Sequence, residues 1–225
     1  MKLRIAIDGP SGSGKSTLAK RLAKRLSLTY VDTGALYRTV GLFAQRNGVK
    51  VDCAADVVPM LSGADVTIRY EDGEQKVFLN GEDVSSLIRT PEISMYASAV
   101  SAVPAVREFL LELQKKAVRE GNVIMDGRDI GTVIMPDADV KLFVVTSPEA
   151  RAHRRYLELT EKGIECNEAD VLADIIERDH NDSTREISPA VAAPDAVILD
   201  NSLLDRDETE YAAVDIINEK LGTSF

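Results

Sequence analysis

Short apolar runs alternate with stretches of helical periodicity along most of the chain. The apolar runs, which predict buried strands, are 3–7, 28–31, 122–125, 140–145 and 196–200. Apolar residues recur at three- and four-residue spacing, which predicts helices, in 18–26, 35–48, 92–101, 104–120, from 148 onward, 167–182 and 205–221. Because strands that alternate with helices form parallel sheets, the pattern predicts an α/β fold, with a parallel sheet flanked by helices.

Residues 64–90 depart from this alternation. Apolar residues occupy every second position in two short runs, 66–70 and 77–79, and a turn sequence follows each run. This pattern predicts a small antiparallel insert within the parallel fold. Its charged tip, 70–75, is assigned to no ligand, and we expect a solvated turn there.

The chain carries an excess of acidic residues. Its 225 residues include 37 Asp and Glu against 27 Lys and Arg, which gives a formal net charge of -10 at pH 7. Non-specific binding of nucleic acid depends on neutralising phosphates with Lys and Arg, so this balance argues against a nucleic-acid partner. Any cationic binding site must therefore be local.

Cysteine use and the lengths of the apolar runs indicate a compartment. Cys53 and Cys166 are far apart and outside any C-x-x-C spacing, which predicts free thiols in a reducing compartment and neither a disulfide nor a zinc site. The N-terminus enters a strand without an apolar signal segment, and no run approaches the ~18 apolar residues of a membrane span. We expect a cytoplasmic monomer that has no membrane partner.

The most informative stretch follows the first predicted strand. Residues 9–16 have the pattern G-x-x-x-x-G-K-S, and a helix follows. Glycines let several backbone N–H groups turn inward, and the positive end of the helix dipole favours an anion at the same place. Lys15 adds a full charge, and the Ser16 hydroxyl is an oxygen ligand suited to Mg²⁺ on the outer phosphates. The expected residues of this phosphate loop are Gly9, Pro10, Ser11, Gly12, Ser13, Gly14, Lys15, Ser16 and Thr17.

The sequence Asp32-Thr33-Gly34 ends the second predicted strand, at the rim of the sheet where the phosphate loop also lies. The same three residues occur in aspartic proteases, which need two such carboxylates facing each other. The sequence contains one copy, so a protease would have to be an obligate dimer. The phosphate loop favours a phosphate-binding role for this turn instead.

Charged residues cluster at two further places. The predicted strand 122–125 runs into the polar segment 126–131, where two carboxylates and an arginine at the end of a core strand favour a binding site over an ordinary loop. Arginines also recur between residues 151 and 185. On an acidic protein this clustering predicts a positive patch for an anion, with ion pairs on the helix surface as the alternative.

A phosphate loop together with a separate arginine-rich region predicts a kinase that holds two phosphorylated ligands close together. Such a kinase needs no general base, because a phosphate dianion is already a nucleophile. The difficulty is repulsion, which at ~4 Å is about 1 kcal/mol per pair of unit charges in water and several-fold more inside a protein. Arginines offset this repulsion, since they bind phosphate bidentately and stay charged.

Six segments together resemble the bacterial cytidylate kinases, and they follow that family's order over nearly the whole chain. The segments are 9–17, 32–38, 81–84 with 88–90, 126–132, 151–155 and 178–185. Many kinases share the phosphate loop, whereas the segment Asp-Gly-Arg-Asp-x-Gly-Thr and the insert are more specific to this family.

The resemblance implies transfer of the γ-phosphate of ATP to CMP or dCMP, with Mg²⁺. It also implies an architecture in three parts. These are a core with the phosphate loop (1–37, 104–148 and 188–225), a nucleoside-monophosphate-binding region (38–103) that includes the insert at about 64–90, and a lid of two helices (149–187).

Roles for individual residues also follow from the resemblance. It implies that Lys15, Arg38, Arg128 and Arg185 stabilise charge during transfer, and that the three arginines hold the CMP phosphate. Ser16 is implied to hold Mg²⁺ together with ATP phosphates and water. The residues implied to bind ATP are those of the phosphate loop, with Arg154 and Arg155 from the lid. The residues implied to bind CMP are Thr33, Tyr37, Arg38, Ser98, Arg107, Arg128, Asp129, Arg178, Asp182 and Arg185.

The implied contacts give cytosine specificity a physical basis. Ser98, Arg107 and Asp129 are implied to contact the base, while Arg178 and Asp182 are implied to lie near the sugar. Cytosine offers an exocyclic amine from which a carboxylate can accept a hydrogen bond. Uracil has a carbonyl at that position, so Asp129 would face another acceptor and stay unpaired.

One departure and two alternatives remain open. Thr33 stands where we associate serine with the family, and because the hydroxyl is kept we expect binding to be retained with a tighter fit. A kinase of UMP, of a cofactor precursor or of a shikimate-like alcohol would keep Lys15 without the group that reads cytosine. A nucleotide-binding switch that does not turn ATP over is the other alternative, although a switch needs no second anion site.

Overall fold

Two sheets and the helices around them make up the chain in a computed structural model, which describes residues 2–50, 54–119 and 121–225. The strands are β1 (Arg4–Asp8), β2 (Thr29–Asp32), β3 (Val66–Glu71), β4 (Glu74–Leu79), β5 (Glu82–Asp83), β6 (Val123–Gly127), β7 (Val140–Val145) and β8 (Val197–Asp200). The helices are α1 (Lys15–Leu26), α2 (Thr33–Arg46), α3 (Ala54–Met60), α4 (Pro91–Ser101), α5 (Pro104–Arg119), α6 (Pro148–Glu161), α7 (Glu168–Thr184) and α8 (Arg206–Leu221).

The larger sheet is parallel throughout and has the strand order β2-β6-β1-β7-β8. Its register places Asp32 beside Asp126, and Asp8 beside Gly127. Polar residues that end three different strands therefore meet at one edge, which is the edge where parallel sheets bind ligands. The predicted α/β fold, a parallel sheet flanked by helices, is confirmed.

Alternate residues of β1 pack on opposite faces of this sheet, as the two-residue period of a strand requires. Ile5 and Ile7 contact the core formed with α1 and α8, whereas Ala6 belongs to a cluster with Met125 and Ile130. A third core lies among α2, α4 and α5, and its fully buried side chains include Leu36. The sheet is thus covered on both faces, and its polar edge stays open.

The insert forms a separate antiparallel sheet in the order β3-β4-β5. Its hairpin turns at Asp72 and Gly73, which have φ angles of 52° and 79°, as a two-residue turn with left-handed residues requires. Val77 and Leu79 of β4 pack into the core of α2, α4 and α5. The predicted antiparallel insert is therefore confirmed.

The expectation of a solvated tip over residues 70–75 was wrong at one position. Asp72 and Gly73 are exposed, but the Gln75 amide bonds to the backbone of Asp32 at the end of β2. The sequence pattern of a hairpin tip cannot reveal this contact, because it depends on where the insert lies against the larger sheet.

Other differences concern short elements. The sequence pattern did not predict α3, a seven-residue helix that contains Pro59, or the two-residue strand β5. Cys166 is a half-buried free thiol, while Cys53 and Glu120 lie outside the described residues. In the part of the chain that the structure describes, no helix has both the length and the apolar character to span a membrane.

Candidate functional site

A cleft opens at the carboxyl edge of the parallel sheet, between the phosphate loop, α2, α4 and α7. All ten residues expected to bind CMP line it: Thr33, Tyr37, Arg38, Ser98, Arg107, Arg128, Asp129, Arg178, Asp182 and Arg185. Ser11, Gly12, Lys15 and Ser16 of the phosphate loop line the same cleft. The fold therefore brings the expected donor and acceptor residues together in one cavity, and their individual roles stay predictions.

The phosphate loop needs glycine for a steric reason at its first position. A Cβ at Gly9 would lie 2.3 Å from the Val144 carbonyl oxygen, so a larger residue does not fit. Gly14 has a φ of 81° and precedes α1, whose first turn has no side-chain cap. The first N–H groups of α1 are thus available to an anion. Asn201 Nδ2 fixes the loop by donating to the Ser13 carbonyl oxygen at 3.0 Å.

Lys15 is buried next to cationic groups. Lys15 is 6% exposed, and its Nζ donates to the Pro10 carbonyl oxygen at 3.0 Å. Burial, together with the positive charge of Arg128, lowers the pKa of Lys15 to about 7. Phosphate groups bound in the cleft would supply the negative charge that stabilises the protonated amine of Lys15.

Asp126, at the end of β6, accepts hydrogen bonds on both carboxylate oxygens. Ser16 Oγ donates to Oδ2 and the Tyr30 hydroxyl donates to Oδ1, each at 2.7 Å, while the Thr33 hydroxyl donates to the Asp126 carbonyl oxygen. Burial, and then the charge of Asp32, raise the pKa of Asp126. Hard oxygen ligands beside a buried carboxylate fit a Mg²⁺ ion at Ser16, because the cation would stabilise the ionised carboxylate.

Asp126 belongs to the polar segment 126–131 that was expected to form a binding site, but no individual role was predicted for it. Its position after an apolar run, at the edge shared with the phosphate loop, was a usable signal. What the sequence could not show is the register of β1, β2 and β6, which brings Ser16, Tyr30 and Asp126 together.

The far end of the cleft contains a buried ion pair. Arg107 Nη2 donates to Asp129 Oδ2, and both residues are less than a tenth exposed. Arg107 Nη1 donates to the Ser101 carbonyl oxygen at 3.2 Å, and the guanidinium lies 5.4 Å from the centre of the Tyr37 ring. The structure buries Arg107 against α4 and the loop after β6. A charged pair held this rigidly can discriminate among hydrogen-bonding patterns.

Besides Arg107, four arginines line the cleft: Arg38, Arg128, Arg178 and Arg185. Asp182 is the counter-ion of two of them, since Arg128 Nε donates to its Oδ2 at 3.0 Å and Arg185 Nη1 lies 3.6 Å from its Oδ1. Burial lowers the pKa of Arg178 to about 10, and the charge of Arg128 contributes to that shift.

Some donors of these arginines have no partner in the described part of the protein. Buried nitrogen atoms without a hydrogen bond occur on Arg38 (Nη1), Arg178 (Nε) and Arg185 (Nη2). Buried N–H groups are normally paired, so unpaired ones that face a cleft indicate a missing acceptor. A polyanion is the class of ligand that would satisfy them.

A second hollow lies on the other side of the phosphate loop. Gly12, Gly14, Thr17, Arg154 and Asn201 are among its lining residues. Arg154 Nη2 donates to the Asn201 carbonyl oxygen at 3.3 Å. Arg155 points elsewhere, where it pairs with Glu158 one turn along α6, and it does not line either of these two hollows. The expected role of both arginines toward ATP stays a prediction.

Asp8 is a buried carboxylate that the sequence analysis left without a role. It ends β1, directly before the phosphate loop, and accepts hydrogen bonds from the N–H groups of Ile130 and Gly131 at 2.8 and 2.7 Å. Burial raises the pKa of Asp8 to about 7, although these two backbone hydrogen bonds oppose the rise. Asp8 thereby holds the loop that carries Arg128 and Asp129.

Arg151 links the phosphate loop to the helical pair α6 and α7. It is 3% exposed, and its Nη1 donates to the Ser11 carbonyl oxygen and to Asp179 Oδ1, both at 3.0 Å. Its Nε also donates to the Thr146 carbonyl oxygen. The sequence placed Arg151 in an arginine-rich segment but gave no indication that it would be buried.

Comparison with known proteins identifies one family. The family model described as cytidylate kinase matches residues 5–219. A cytidylate kinase from Carboxydothermus hydrogenoformans is 47% identical over 218 residues, covering 97% of this chain and 98% of that protein. A cytidylate kinase from Lactobacillus gasseri is 46% identical, covering 97% and 95%.

Among solved structures, a shikimate kinase from Bacteroides thetaiotaomicron is similar to this chain with a TM-score of 0.50. It is 16% identical, and the match covers 99% of both chains. The structural similarity supports the same phosphate-loop kinase fold, whereas an identity of 16% carries no information about the acceptor.

Proposed function

The chain belongs to the cytidylate kinase family and transfers the γ-phosphate of ATP to CMP or dCMP, and we propose that it does so by placing positive charge rather than by general-base catalysis. The observation that carries this proposal is the set of arginines that line one cleft with Lys15, because three of them, Arg38, Arg178 and Arg185, have buried N–H groups without a hydrogen bond in the described chain. An acceptor phosphate is a nucleophile without deprotonation, so the site has to overcome repulsion between anions.

In this proposal Arg38, Arg128 and Arg185 bind the acceptor phosphate. Their guanidinium groups provide bidentate donors and keep their charge at any working pH. Lys15 and the N–H groups at the start of α1 bind the phosphates of ATP on the opposite side. Charge that spreads over the transferring group is then stabilised from both sides, which is the main requirement of phosphoryl transfer.

We assign base recognition to the buried pair of Arg107 and Asp129, with Ser98 beside it. Asp129 accepts from the exocyclic amine of cytosine, and Arg107 donates to the ring acceptors. Arg178 and Asp182 also line the cleft and are assigned to the sugar. The pairing in the unliganded protein supports this assignment, because it fixes the orientation of Asp129 before a base arrives.

We further propose that Ser16 and Asp126 hold Mg²⁺, with Asp126 acting through the Ser16 hydroxyl and through water. When bound, Mg²⁺ would neutralise part of the charge of the phosphate groups. We also propose that the active form is a monomer.

An ADP-release assay with ATP and Mg²⁺ tests the proposed function. CMP, dCMP, UMP, AMP and GMP are offered separately, with a control lacking an acceptor. We expect strong turnover with CMP and dCMP, and little with the other acceptors or in the control. ADP release that does not depend on the acceptor, or that requires a different acceptor, would contradict the assignment.

Tyr30→Phe should weaken magnesium-dependent nucleotide binding without disturbing the fold. The variant removes the donor to Asp126 Oδ1, and loss of a group that orients a metal-supporting carboxylate raises the metal requirement by about tenfold. The readouts are the Mg²⁺ concentration for half-maximal turnover and the thermal stabilisation by ATP as Mg²⁺ is titrated. Tyr156→Phe, in α6 and outside the cleft lining, is the control. Equal Mg²⁺ dependence of both variants would show that Tyr30 does not support the metal.

A further inference from the structure

Two side chains of the insert form hydrogen bonds to the same residue of the larger sheet, Asp32. Gln75 of β4 uses its side-chain amide as a neighbouring strand would use its backbone: Oε1 accepts from the Asp32 N–H at 2.8 Å, and Nε2 donates to the Asp32 carbonyl oxygen at 3.1 Å. β2 is an edge strand of the sheet, so these backbone groups have no strand beside them on that side. The amide satisfies both of them.

The other end of the insert reaches the side chain of the same residue. Arg89 lies in the short helical turn Leu87–Arg89, and its Nη2 donates to Asp32 Oδ2 at 2.9 Å. The Arg89 side chain is 51% exposed, whereas that of Asp32 is 5% exposed. Two parts of the insert that are 14 positions apart therefore converge on one buried residue.

Asp32 also caps a helix and lies close to an arginine of the cleft. Its Oδ1 accepts from the Ala35 N–H at 2.9 Å and caps α2, the helix that carries Arg38. Its Oδ2, which accepts from Arg89, lies 3.8 Å from Arg38 Nη1. That nitrogen of Arg38 is buried and has no hydrogen bond in the described chain. Arg38 is thus held close to Asp32 while one donor stays free.

The two arginines compete for one oxygen atom. Although burial alone would raise the pKa of Asp32, the charges of Arg38 and Arg89 bring that pKa below its usual value. If Arg89 were absent, Oδ2 would be free to accept from Arg38 Nη1 directly, and that donor would then be unavailable to a ligand. No residue of the insert, 64–90, is among the residues that line the cleft, so any effect of the insert on the acceptor must pass through such a contact.

We infer that Gln75 and Arg89 are positioning residues: they fasten the insert to Asp32 and thereby keep Arg38 available to the acceptor phosphate. This inference rests on the proposed role of Arg38 as a ligand of that phosphate. It gives the insert a function in acceptor binding that does not require the insert to touch the acceptor.

Steady-state kinetics of Gln75→Ala and Arg89→Ala test the inference. We expect the KM for CMP to rise about tenfold in Arg89→Ala and less in Gln75→Ala, since a charged hydrogen bond to the positioning group is lost. The KM for ATP should stay within about twofold of the original value, because Asp32 lies on the acceptor side. Arg89→Lys keeps the charge and should recover part of the loss.

Lys76→Ala is the matched control, because Lys76 neighbours Gln75 on β4 and its ion pair with Glu74 stays within the hairpin. It should leave both KM values unchanged. Thermal unfolding of every variant separates positioning from a general loss of stability. Parallel increases in both KM values, accompanied by a lower unfolding temperature, would overturn the inference.

A double-mutant comparison separates the inference from the proposed function. Arg38→Ala alone should raise the KM for CMP, and adding Arg89→Ala should then have no further effect, because Arg89 acts through Arg38. If Arg38→Ala leaves the KM for CMP unchanged, the proposed role of Arg38 fails. If Arg38→Ala raises it but Arg89→Ala and Gln75→Ala do not, Arg38 remains a ligand and the insert has no part in positioning it.

Discussion

Lys15→Met should lower kcat by about 10²- to 10³-fold, the usual effect of removing one charge-stabilising donor from a transfer site. Methionine keeps the length and the apolar stem of lysine, so the variant removes the charge from the buried position without leaving a large cavity. Lys24→Met, in the last turn of the same helix, is the control and should be fully active. Rates measured at saturating ATP and CMP separate this effect from weaker binding. Similar rates in both variants would show that Lys15 carries no catalytic charge.

The lowered pKa of Lys15 adds a second signature to this prediction. With a pKa of about 7 in the nucleotide-free protein, Lys15 is largely neutral at pH 8 and largely protonated at pH 6. Phosphate groups favour the protonated form, so ATP binding should take up a proton at pH 8 and much less at pH 6. Calorimetry in buffers of different ionisation enthalpy measures this uptake. Lys15→Met should lose it, and uptake that persists in the variant would assign the proton to another group.

Asp129→Asn should reduce the preference for CMP over UMP by at least about tenfold, since one well-placed base contact contributes about 1–3 kcal/mol of discrimination. The carboxylate can only accept hydrogen bonds, which suits the amine of cytosine, whereas an amide can also donate to the carbonyl of uracil. We expect most of the change as a lower kcat/KM for CMP, because the variant also leaves Arg107 without its counter-ion.

Competition between CMP and UMP in one assay measures the ratio directly. Asp137→Asn, which removes a surface carboxylate paired with Arg4 far from the base end, controls for the loss of one negative charge. An equal loss of kcat/KM with both acceptors would show that Asp129 supports the structure of the cleft without reading the base.

The sequence was sufficient for the parts of the molecule that local pattern determines. From β1 through the phosphate loop to α1, the apolar periodicity, the glycines and the charged residues all indicate the same structure. The antiparallel insert was recognisable from its two-residue period. In contrast, α3 has seven residues, an internal proline and no clear apolar face, so no pattern predicted it.

The sequence predicted which residues lie near one another better than it predicted their contacts. All ten residues expected to bind CMP line one cleft, while their roles stay predictions. No role was predicted for Asp126, because its hydrogen bond to Ser16 joins positions 110 residues apart and depends on strand register. Helix periodicity likewise placed Arg154 and Arg155 in one helix but could not show that only Arg154 lies beside the phosphate loop.

Asp8 connects the two loops that are proposed to bind the donor and the acceptor. β1 continues directly into the loop that is proposed to bind ATP, and its last side chain holds the backbone of the loop that carries Arg128 and Asp129. In the proposed binding mode, donor and acceptor are therefore both positioned from the end of one buried strand. Bringing reactants to a fixed separation supplies much of the effective concentration of an enzymatic transfer. The proposed function would draw that contribution from the sheet itself.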